Sequence, residues 1–135
     1  MVSAKPSTIP RLELAAAVHA ADLMRVISEA LSQIRFDKIR LFTDSIVTLH
    51  RIRSDPKKWD SFVSRRVELI QAKTDIHQWY HLPTEMNPAD MISRDLSLSA
   101  LMNNSLWFQG PEYGVVLTAE QKTQRIVCAV YAAKD

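Results

Sequence analysis

Cysteine occurs once in the 135 residues, at Cys128, so no intrachain disulfide is possible and no thiolate framework for zinc exists. A reducing compartment is the natural expectation. Glycine occurs only twice, which disfavours a fold built on tight hairpins and favours helices. No apolar run approaches the length that spans a bilayer, and Met1 to Pro10 lacks the apolar stretch of a signal peptide. The chain is therefore expected to be soluble and intracellular, with no membrane partner and no compartment that the sequence names. It has no internal repeat and no low-complexity tract. Acidic residues are missing from everything ahead of Glu13.

What is present suffices for one core, since 47% of the residues are hydrophobic. The formal net charge of +2 permits nucleic-acid binding without requiring it. Basic residues gather at Arg51 and Arg53, Lys57 and Lys58, and Arg65 and Arg66. Such a group is either a solvated helix face or a phosphate-binding surface.

Pro10 suits a first helical position, and the alanines from Ala15 to Ala21 extend a helix from about Pro10 to Leu31. At about 100° per residue, Arg11, Asp22, Arg25, Glu29 and Ser32 form its wet stripe. Glu13 lies nearly opposite them, among Ala17, Ala20, Met24 and Leu31. The stretch Lys38 to Asp44 reads as a strand, followed by helices over Ile46 to Arg53 and Trp59 to Lys73 and a second strand over Ile76 to Leu82. Strand, helical crossover and strand make a βαβ unit with parallel strands. Asn87 as cap and Pro88 as first residue predict a helix to about Arg94, and Leu96 to Asn103 predicts another. Leu106 to Gly114 carries the aromatic cluster Trp107, Phe108 and Tyr113. Ala119 to Asp135 reads equally as helix or strand.

Three carboxylates stand out. Asp44 falls at the carboxyl end of the first parallel strand, where open α/β sheets place ligands, although an Asp there also serves as a helix cap. Asp90 falls in the first turn of a helix, where an acid complements the helix dipole. Glu13 is the hardest to explain structurally, because a charge on an apolar helix face needs a partner or a metal. Converging carboxylates repel unless divalent cations neutralise them. An all-oxygen donor set suits Mg²⁺ or Mn²⁺, and two such ions stabilise both the attacking and the leaving oxygens of a phosphodiester.

An ordered series of motifs carries a family resemblance: Thr8-Ile9-Pro10-Arg11-Leu12-Glu13-Leu14, Phe42-Thr43-Asp44-Ser45, Lys57-Lys58-Trp59 with Phe62-Val63 and Arg66-Val67, His81-Leu82-Pro83, Asn87-Pro88-Ala89-Asp90 and Ser93-Arg94. Together they resemble the ribonuclease H region of BEL/Pao-type LTR retrotransposon polyproteins, from about Lys5 to Tyr113. Leu106-Trp107 and Gly110-Pro111 resemble the connection leading toward the integrase of such polyproteins.

The resemblance implies a ribonuclease H-like α/β fold and endonuclease activity on the RNA strand of an RNA–DNA hybrid, with Glu13, Asp44 and Asp90 as the metal-binding catalytic carboxylates for two Mg²⁺ or Mn²⁺ ions. It places Thr43, Ser45, His81 and Asn87 beside substrate. Capping explains Ser45 equally well, and packing or turn formation explains His81 and Asn87. The departure is at the front. The family's first catalytic Asp sits on the opening strand of an antiparallel meander, and Met1 to Ile9 offers no counterpart, so a truncated domain with impaired two-metal catalysis is expected, or a Met1 that is not the true start.

The missing strand would pair with the one that bears Asp44, so an exposed sheet edge, self-association or pairing with other polyprotein segments is expected. The expected division is a partial ribonuclease H-like domain over residues 1–105 and a connecting segment over 106–135. Two alternatives remain: a non-catalytic nucleic-acid-binding or interaction module that uses the basic residues from Arg51 to Arg66, and a degenerate retrotransposon remnant.

Overall fold

The computed structural model describes residues 8–36, 38–92, 96–109 and 127–130. The sequence motifs at Met1 to Ser7, Ser93, Arg94, Gly110, Pro111 and Tyr113 lie outside them.

Helix α1, Ile9–Ala30, starts with Pro10 in its first turn, and Arg11 and Leu12 donate their N–H groups to the Thr8 carbonyl. Its buried residues, Leu14, Ala17, Ala20 and Ala21, recur at helical spacing, and the small alanines let the helix lie close on its neighbours. The expected wet stripe is exposed at Arg11, Arg25, Glu29 and Ser32. Asp22 is the exception, half-buried because Lys73 of a second helix reaches it.

Strand β1, Arg40–Thr43, is the centre of a three-stranded sheet. Leu41, Phe42 and Thr43 are all buried, as befits a parallel strand covered on both faces. Helix α2, Ile46–Ile52, follows, then one 3₁₀ turn at Pro56–Lys58 and helix α3, Ser61–Lys73. Helix α3 begins at Ser61 because the Asp60 carboxylate accepts the Val63 N–H and caps it, which leaves Trp59 outside the expected helix.

Strand β2, Trp79–His81, is shorter than its apolar stretch. Asp75 and Gln78 form a capping box that winds Ile76–Gln78 into a 3₁₀ turn. β2 pairs parallel to β1, with Leu41 opposite Trp79 and Thr43 opposite His81, which makes the expected βαβ unit.

Helices α4, Pro88–Ile92, α5, Leu98–Met102, and α6, Ser105–Gln109, complete the helical part. Ser97 caps α5, and the Asn104 side chain accepts the Leu106 and Trp107 N–H groups at the start of α6. Helix α6 packs against α4.

The expectation of a bare edge on β1 is corrected. Strand β3, Val127–Val130, pairs parallel to β1 on the side away from β2, from Arg40 opposite Val127 to Thr43 opposite Val130. A short apolar run has no periodicity that separates helix from strand; the open ladder of β1 decides the matter. Among the described residues every strand pair is parallel, and no antiparallel meander occurs.

The core joins Leu14, Ala17 and Ala21 of α1, Leu41 of β1, Ile52 of α2, Val63, Val67 and Ile70 of α3, and Trp79 of β2. Trp79 is fully buried, and its indole N–H donates to Thr74 Oγ1 at 2.8 Å. Thr74 in turn donates to the Ile70 carbonyl at 2.8 Å, so the polar tip of the largest core side chain is satisfied.

Candidate functional site

The turn Thr43-Asp44-Ser45 joins β1 to α2, and its two hydroxyls shape it. Thr43 Oγ1 accepts the Ser45 N–H at 3.2 Å, while the Thr43 carbonyl accepts the Leu82 N–H at 2.9 Å and so holds the end of β1 to the chain leaving β2. Ser45 Oγ accepts the Thr48 N–H at 3.2 Å, which makes Ser45 the N-cap of α2. Ser45, and not Asp44, is the N-cap residue of α2. Asp44 stands half-buried between them at the carboxyl end of β1.

The Ser45 hydroxyl does a second thing. It donates to Glu13 Oε2 at 2.6 Å, a short, charge-assisted contact across 32 positions of sequence. Glu13 is half-buried, one residue before the fully buried Leu14, so the packing of α1 sets its position. The second turn of α1 and the N-cap of α2 thus meet beside Asp44.

Asp90 is 5% exposed and lies in the first turn of α4. Asn87, 2% exposed, accepts the Ala89 N–H on Oδ1 at 3.1 Å and the Asp90 N–H on its carbonyl at 3.2 Å, so it caps α4. His81 is half-buried at the end of β2, level with Thr43. The carboxyl ends of β1 and β2 therefore carry Asp44 and His81, and Ser45 ties Glu13 to the same edge. Helix α4, with Asp90, contacts β3. Among the described residues, however, no three His, Cys, Asp or Glu side chains are gathered as a metal-holding group.

The basic stretch divides into two kinds of residue. Arg51 donates to the Pro10 carbonyl at 3.4 Å and lies 5.5 Å from the Trp59 ring; Arg53 donates to the Trp79 carbonyl at 2.6 Å; Arg66 donates to the Phe62 carbonyl at 3.1 Å and covers its ring at 3.5 Å. Arg51 and Arg53 thus join elements, while the Arg66 contacts lie within α3. Lys57, Lys58 and Arg65 are exposed, and so is Arg53 despite its bond to the Trp79 carbonyl.

Two interhelical contacts had no distinct signal in the sequence. Lys73 of α3 donates to Asp22 of α1, and this bond holds the Asp22 carboxyl below the ordinary carboxylate value. Arg11 of α1 pairs with Asp60 at 3.9 Å. The Asp60 carboxyl is held low first by the Val63 N–H that it caps and then by the Arg11 charge, against an opposing effect of desolvation.

Glu13, Asp44 and Ser45 all fall within a stretch that matches a known family. Residues 1–45 match the model described as Pao retrotransposon-like RNaseH-like domain. The match supports a BEL/Pao retrotransposon ribonuclease H region. His81, Asn87 and Asp90 lie outside the matched stretch. No curated protein and no solved structure matches the chain. The mixed α/β architecture with parallel strand pairing is consistent with a ribonuclease H-like fold. Among the described residues no helix is long and apolar enough to cross a membrane.

Proposed function

We propose that the chain is part of a retroelement ribonuclease H region, of the kind that hydrolyses the RNA strand of RNA–DNA hybrids, and that its carboxylate edge is an incomplete two-metal site. The observation that carries this reading is the Ser45 bridge, which ties Glu13 of α1 to the Asp44 turn inside the family-matched stretch. Glu13, Asp44 and Asp90 are the acids assigned to the edge. Bound Mg²⁺ or Mn²⁺ would supply Lewis-acid stabilisation of phosphodiester oxygens.

The test is incubation of a labelled RNA–DNA hybrid with the chain and with its Asp44→Asn variant, in Mg²⁺ and in Mn²⁺. The native chain is expected to cleave no faster than Asp44→Asn. RNA-strand cleavage that Asp44→Asn abolishes would show a complete site and overturn the claim of incompleteness.

A second reading, a module that holds nucleic acid without cutting it, draws on one observation. Lys57, Lys58, Arg65 and Arg53 are exposed, and of these Arg53 donates to a backbone carbonyl, as half-buried Arg51 and Arg66 do. Any phosphate contact in this stretch rests chiefly on Lys57, Lys58 and Arg65, and salt-sensitive binding of the hybrid tests it.

A further inference from the structure

We infer that Ser45 is a positioning residue for Glu13 and not a substrate contact; its purpose at a metal site rests on the proposed function, but the contact itself does not. A serine hydroxyl has a single proton to donate. In this structure that proton goes to Glu13 Oε2 at 2.6 Å, and the same oxygen accepts the Thr48 N–H at 3.2 Å. The residue is 8% exposed, so little of it is open to a phosphate backbone.

The two bonds act together. The Thr48 N–H fixes where the Ser45 oxygen sits, because it belongs to the first turn of α2 and cannot rotate away while that helix stands. With the oxygen fixed, the hydroxyl proton is directed at α1. The Thr43 hydroxyl restrains the turn from the other side by accepting the Ser45 N–H at 3.2 Å. Glu13 is therefore held by one of its two carboxylate oxygens, with its position tied to the turn that carries Asp44.

Three substitutions separate positioning from capping. Ser45→Thr keeps both the acceptor and the donor. Ser45→Asp keeps an acceptor for the Thr48 N–H but removes the donor and sets a second charge against Glu13. Ser45→Ala removes both. The readout is the ¹³C resonance of the Glu13 side-chain carboxylate at neutral pH, followed with the backbone amide resonances of α2. Ser45→Thr is expected to leave the Glu13 carboxylate resonance near its native position. Ser45→Asp and Ser45→Ala are expected to shift it, with the α2 amide resonances preserved in Ser45→Asp.

A Glu13 resonance that stays put in both Ser45→Asp and Ser45→Ala overturns the inference. If Ser45→Ala fails to fold, Ser45→Asp alone decides. Addition of Mn²⁺ to the native chain separates this inference from the proposed function: absence of broadening at Glu13 and Asp44 defeats the metal-site reading, while the carboxylate shifts still decide the role of Ser45.

Discussion

Thr43 of β1 stands in register with Val130 of β3, so the strand that carries Asp44 at its end is paired on both sides. A parallel strand with an open ladder is an aggregation template, and β3 removes that hazard from β1. A chain shortened to end at Gln109 is expected to lose hydrogen-exchange protection of the Phe42 amide, which faces β3, while the Leu41 amide, which faces β2, keeps its protection, and to associate as its concentration rises. Unchanged exchange at Phe42 would mean that β3 contributes nothing to the sheet in solution.

The ion pair between Lys73 and Asp22 links α3 to α1, and the Asp60 cap fixes the start of α3. Both carboxyls are held below their ordinary value of 3.8. A depressed folded-state pKa contributes stability that is present above the unfolded value and is lost as pH falls through the folded one. The urea midpoint is therefore expected to be flat near neutral pH and to fall as the pH drops below about 4. Asp22→Asn should make that fall shallower, and an unchanged slope would show that the pair does not persist in solution.

Asn87 is buried and caps α4 through its side chain. Asn87→Ala is expected to cost about 1 kcal/mol, seen as a melting temperature lower by about 3–5 °C. If Asn87 acts only as a cap, hybrid affinity stays at the native level at a temperature where both proteins are folded. A large loss of affinity with little change in melting would return Asn87 to the substrate-binding set.

Lys57, Lys58 and Arg65 should separate from the arginines that donate to backbone carbonyls in a salt titration. Replacing Lys57, Lys58 and Arg65 with alanine is expected to weaken hybrid binding and to flatten the plot of log affinity against log salt by about 0.7–0.9 for each phosphate left without its cation. Arg53→Ala should mainly lower thermal stability, because its guanidinium holds the Trp79 carbonyl at 2.6 Å. The reverse pattern would place the nucleic-acid contact on the arginines.

The elements with strong local signals were legible in the sequence. Helix α1 has a proline start and an alanine-rich apolar face, α4 has Asn87-Pro88, and β1 ends at a polar turn. Where side chains competed for the backbone, boundaries moved: Asp60 takes the cap that trims α3, and Asp75 with Gln78 winds the head of the second apolar stretch into a 3₁₀ turn. β3 was illegible because its strand state depends on a partner ladder far away in sequence. The acids of the site were legible as candidates, but the Ser45–Glu13 contact was not, since no local pattern reveals a bond that packing creates between α1 and the β1–α2 turn.

The most direct test of an incomplete metal site at the carboxylate edge is Mn²⁺ titration of the ¹⁵N-labelled chain, read as paramagnetic broadening of backbone amides. The account predicts weak broadening centred on Glu13, Asp44 and Ser45 and reaching Asp90, and its loss in Asp44→Asn. Broadening centred elsewhere, or unchanged by Asp44→Asn, would contradict it.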